Sequence, residues 1–189
     1  MVYRFIHIPK TGGTTIVEYL RQNKIDFLWG DNSGTHLPKS KHGRAQQWIH
    51  ESNPKFCCVR HPATRLVSYF QYFHQQFGVY ENISFSQFLR DRLDLSSSNG
   101  KKLSSPWIPQ SQWFMVDDQI TVDRLLTFEN LEIDLVRFLF GPKQTPIISV
   151  PRLNISNHEQ TDLLSWYSER DYRRVRKAFA RDFEVLGYD

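Results

Sequence analysis

The chain opens on a short run of aromatic and β-branched residues, Tyr3 to Ile8, that stops at Pro9. The loop Lys10-Thr11-Gly12-Gly13-Thr14-Thr15 follows. After it come Ile16, Val17 and Leu20, spaced to lie on one face of a helix that Thr14 or Thr15 can cap. Strand, tight loop, helix is the first half of a crossover unit, and the pattern recurs. Ile25 to Trp29 reads as a second strand, Lys41 to Glu51 as a helix, and Lys55 to Val59 as a third strand feeding a helix after His61-Pro62. Repeated strand-to-helix units predict a three-layer α/β fold, a mainly parallel sheet flanked by helices. Ligands in such sheets bind beyond the C-terminal ends of the strands.

Further on, Ser84 to Asp94 reads as a helix and Val122 to Phe128 as a strand. Leu131 to Phe140 is a helix stopped by Gly141-Pro142, and Glu169 to Phe183 a basic amphipathic helix. Leu95 to Pro106 is Ser-rich and reads as a loop, either a solvated connection or a lid over an acceptor cleft.

At 189 residues, 40% hydrophobic and 14% aromatic, the chain suits one core, and residues 1–189 are expected to form a single domain. A net charge of +4 without long runs of like charge favours an anionic ligand and argues against a nucleic-acid partner. Neither an apolar stretch of membrane-spanning length nor a secretory leader is visible, so the expected location is cytoplasmic. Cys57 and Cys58, adjacent in a strand, read as reduced core residues, and no metal-binding spacing stands out.

The loop after the first strand suits a phosphate or sulfate. Glycines admit an oxyanion to the backbone, the helix start offers N–H groups, and Lys10 adds a cation. It is not a Walker A loop, because here the lysine precedes the glycine pair. A second basic segment, Arg60-His61-Pro62-Ala63-Thr64-Arg65-Leu66-Val67-Ser68, puts an arginine at a strand end, where its donor fork matches phosphate. Arg65 could also reach a phosphate, but a helix-surface ion pair is the commoner fate of such a side chain and the favoured reading.

The two segments together resemble the PAPS-dependent sulfotransferases. The likeness is to the branch holding the heparan-sulfate 2-O-sulfotransferases and small bacterial carbohydrate sulfotransferases, which have a P-loop-like fold. That resemblance implies transfer of a sulfuryl group from PAPS (3′-phosphoadenosine 5′-phosphosulfate) to a hydroxyl, with PAP as product, no metal required, and a glycan as the expected acceptor. It assigns Lys10 to the bridging oxygen and transferring group, and Thr11, Gly12, Gly13, Thr14 and Thr15 to the 5′-phosphate. Arg60 and Ser68 are assigned to the 3′-phosphate. Pro109-Gln110 with Trp113, and Leu125 to Leu131, resemble further family elements, although Thr127 stands where many relatives carry arginine. Pro151 to Ser156 resembles a late loop over the nucleotide, giving Arg152, Asn154 and Ser156 as donor contacts.

Transfer also needs a base, and histidine titrates in the right range. The resemblance ranks His42 first and His36 second, leaves Glu18 or a residue after Tyr72 open, and gives His7 and His61 supporting places. Trp107, Trp113, Tyr69, Tyr72 and Phe73 are candidates for stacking on sugars or for the core. The rivals are a P-loop kinase and a non-catalytic glycan-binding module.

Overall fold

The structure is a computed structural model describing residues 1–30, 43–94, 108–144 and 163–189. In chain order its first elements are β1 (Tyr3–Ile6), α1 (Gly13–Gln22), β2 (Phe27–Trp29), a 3-10 turn (Ala45–Trp48), β3 (Lys55–Val59), α2 (Pro62–Phe77) and α3 (Phe85–Leu89). A π turn (Arg90–Asp94) extends α3, and α4 (Ser111–Phe114) leads into the hairpin β4 (Met115–Val116) and β5 (Gln119–Ile120). Then come β6 (Arg124–Thr127), α5 (Leu131–Phe140), α6 (Glu169–Ala178) and α7 (Ala180–Leu186). The chain divides into two compact units, Met1–Arg60 with Gln110–Leu153, and His61–Pro109 with Asn154–Asp189.

The first unit holds a four-stranded parallel sheet in the order β2-β1-β3-β6. Register pairs Phe5 with Phe56 and Cys58 with Leu126, which brings these four residues to one face. Ile16, Val17 and Leu20 of α1 and Leu131, Leu135 and Val136 of α5 pack there as one core. The other face carries Arg4, almost wholly buried, whose guanidinium stacks 4.6 Å over Trp48 and pairs bidentately with Glu51 at 2.9 and 2.7 Å. Cys57 and Cys58 are both free and buried, and burial pushes both thiols upward, so they sit as apolar core residues.

The second unit is helical and aromatic. Leu66, Val67 and Phe70 of α2 pack on Phe85, Phe88 and Leu89 of α3, and on Val175, Phe179 and Phe183 from the C-terminal helices. The Tyr167 hydroxyl donates to the Ala63 carbonyl at 2.8 Å, tying the last segment to the first turn of α2.

Two expected helices differ. Of Lys41 to Glu51, only Ala45–Trp48 is helical, as a single 3-10 turn, and residues 41 and 42 lie outside the described residues. Trp48 is held against Arg4, and Glu51 is drawn to the same guanidinium, so tertiary contacts end the helix at once. The C-terminal helix breaks at Phe179 (φ −116°, ψ 26°), which is buried in the core between Val175 and Phe183. Val122 to Phe128 contracts to β6, its last residue Phe128 turning into a 3-10 turn. No helix among the described residues is long and apolar enough to cross a membrane.

Candidate functional site

The C-terminal ends of β1, β3 and β6 lie on one edge of the parallel sheet, and each releases a residue of the candidate site. After β1 the chain turns sharply: Lys10 takes a left-handed φ of 66° and Gly12 one of 83°. A lysine in that region costs about 1 kcal/mol or more and is held by its surroundings. Thr11 is fully buried and donates its hydroxyl to the Ile8 carbonyl at 2.9 Å, so what it offers a ligand is backbone.

Helix α1 then starts from Gly12 with no side-chain cap and no acidic residue in its first turn. Its leading N–H groups carry the positive end of the helix dipole, which suits an oxyanion. Thr14 is exposed in that first turn and Thr15 is buried. Gly13 is required for packing: a Cβ there would sit 1.9 Å from His7 Nε2. His7 is buried and stacks on Phe5 with ring centroids 5.5 Å apart.

Arg60 follows the last residue of β3, and its guanidinium lies 4.1 Å over the ring of Phe128, the residue that follows β6. The same Phe128 ring stands 3.1 Å from where a Cβ at Gly12 would be, so one aromatic side chain borders both the loop and Arg60. The Arg60 backbone is gripped by Gln110, whose Oε1 accepts from the Arg60 N–H at 2.9 Å and whose Nε2 donates to the Arg60 carbonyl at 2.7 Å. Lys10 is lowered from 10.5 to about 8, chiefly by burial and secondarily by the charge of Arg60. The Arg60 charge therefore reaches Lys10, which makes this sheet edge a cationic one.

The rest of the second basic motif belongs to the second unit. Pro62 opens α2, and His61 caps it by accepting the Ala63 N–H on Nδ1 at 3.2 Å, while its ring meets Phe183 and Tyr188 edge-on. Ser68 is half-buried on α2. Arg65 is not the surface ion-pair residue expected. It is 3% exposed and donates to the Ile108 carbonyl at 3.2 Å. Burial lowers its guanidinium to about 10, partly offset by the charge of the buried Asp182.

His36, His42, Arg152, Asn154, Ser156, the Ser-rich loop and Trp107 lie outside the described residues. Trp113 and Tyr69 are core residues. Thr127 receives no ligand role from its surroundings: its N–H and hydroxyl both donate to Asp134 Oδ2, at 2.9 and 2.8 Å, fixing the start of α5. An open cavity of about 560 Å³ in the second unit, lined by Tyr167, Tyr172, Arg173 and Arg176 among others, includes none of the residues singled out from the sequence. Sequence reasoning did not find the Gln110 grip or the Phe128 platform. Both residues stand in segments noted for resemblance, but their roles arise only when the folded chain brings them to Arg60.

A family model described as the sulfotransferase family matches residues 2–189. No curated protein and no solved structure matches the chain.

Proposed function

The chain belongs to the sulfotransferase family, and from that premise we propose that residues 1–189 act as one domain moving the sulfuryl group of PAPS to a carbohydrate hydroxyl. The observation that carries the donor reading is the convergence of Lys10, the uncapped start of α1, Phe128 and Arg60 on one sheet edge. PAPS carries anionic groups at two ends, and a lysine and an arginine beside a helix start that has no side-chain cap fit such a ligand. When bound, the donor supplies an activated sulfuryl group on a phosphate leaving group.

The chain's own residues do the rest. Backbone N–H groups from Thr11 to Thr15 hold the 5′-phosphate, and Lys10 places its ammonium at the bridging oxygen, where negative charge grows during transfer. Arg60, with Ser68, holds the 3′-phosphate, and Arg152, Asn154 and Ser156 complete the nucleotide contacts. A bound anion raises the Lys10 pKa again and keeps the ammonium charged when it is needed. His42, with His36 as the alternative, takes the acceptor proton. The product is PAP, and the mechanism needs no metal. The kinase reading is disfavoured by the order of lysine and glycines in the loop.

The test is transfer of label from PAPS, labelled in its sulfuryl group, to a panel of oligosaccharides, phenols and sterols, with ATP labelled at its γ-phosphate as control. Sulfuryl label is expected on oligosaccharides and on no other class. Phosphoryl transfer from ATP, or sulfuryl label only on a non-sugar acceptor, would overturn the corresponding half of the proposal.

A further inference from the structure

We infer that Gln110 is the positioning residue that aims Arg60, and through it sets how strongly the site prefers a nucleotide bearing a 3′-phosphate. The ladder between β3 and β6 ends at the pair Val59 and Thr127. At Arg60 the Gln110 side chain takes over the place of a neighbouring strand: its amide accepts from the Arg60 N–H at 2.9 Å and donates to the Arg60 carbonyl at 2.7 Å. A primary amide is the side-chain group that offers donor and acceptor side by side, and a carboxylate or thioether cannot make both bonds.

Gln110 is itself fully buried at the start of α4, where its carbonyl accepts from the Trp113 N–H at 2.8 Å. With its peptide fixed on both sides, Arg60 reaches Phe128 with the guanidinium 4.1 Å above the ring. The grip also joins the two chain positions that flank residues 61–109 within the first unit, so one side chain closes a loop of 49 residues. Losing it removes both of these bonds at the point where the side chain is aimed.

The inference deepens the donor reading, and its test has an arm independent of that reading. In wild-type protein with labelled arginine, the Arg60 Nε–H proton resonance is ring-shifted by Phe128 and is assigned by its loss in Arg60→Lys. In Gln110→Met it is expected to move toward the position of a free guanidinium. The preference for PAP over adenosine 5′-phosphate is expected to fall about tenfold or more, the scale of one or two buried hydrogen bonds. Gln110→Glu, close in shape should the Met variant fail to fold, behaves likewise near neutral pH. It recovers on acidification, as the protonated carboxyl regains a donor. A resonance and a nucleotide preference unchanged in both variants, with only the melting temperature lowered, would overturn the inference and leave Gln110 a core residue. If wild-type protein binds neither nucleotide, the donor reading falls, and the resonance alone decides for or against the grip.

Discussion

Arg60 and Arg65 stand five residues apart in one basic motif, yet the fold gives them opposite environments. Arg60 leaves the end of β3 with its backbone gripped by Gln110, its guanidinium on an aromatic ring and a second cation, Lys10, near enough to feel its charge. Arg65 lies inside the second unit, donates to a main-chain carbonyl and faces the field of a buried carboxylate. A buried cation whose charge is answered by an acid is a structural device. A cation set beside another cation at a strand end is the arrangement on which the proposed anion site rests. The difference lies in the surroundings and not in the side chain.

The largest effect that would sharpen this contrast is on stability. Arg65→Met removes a buried cation whose charge the buried Asp182 answers, and is expected to lower unfolding stability by about 3–5 kcal/mol, read by urea titration. It should leave the ratio of PAP to adenosine 5′-phosphate affinity intact. A loss of that ratio in folded Arg65→Met would break the contrast. Next in size, Lys10→Ala is expected to lower sulfuryl transfer by about 10²–10³-fold, the scale of a lost donor at a developing charge, with little change in melting temperature.

A smaller effect of opposite sign on two observables follows from Lys10 standing at about 8 against an ordinary 10.5. The unfolded chain keeps the lysine proton to higher pH than the folded one, so the ligand-free protein should gain stability as pH rises from about 8 toward 10.5. Over the same window kcat/KM for PAPS should fall, because the free enzyme loses its ammonium. Lys10→Ala removes the stability gain, which a pH series of thermal melts would show.

How much of this was legible in the sequence depends on what decides each feature. The β1-loop-α1 unit, β3 and α5 were readable because hydrophobic runs and glycine stops act locally. Arg60 could be placed at a strand end for the same reason. Lys41 to Glu51 misled because its helical spacing was overridden by Trp48 and Glu51 docking on Arg4, a residue more than forty positions away. Arg65 is buried within reach of the charge of Asp182, far along the chain, and no local pattern announces it. Gln110 and Phe128 gain their meaning from contacts with Arg60 made far along the chain, and in the sequence they are an ordinary amide and an ordinary aromatic.

The central claim, that Arg60 and the Lys10 loop together form a site for a nucleotide with phosphates at both ends, is tested most directly by calorimetric titration with PAP and with adenosine 5′-phosphate. Wild-type protein should favour PAP by about 10- to 100-fold, the range of one charge-assisted phosphate contact, and Arg60→Ala should bind the two alike. Equal affinity in the wild type, or a preference that survives in Arg60→Ala, would contradict it.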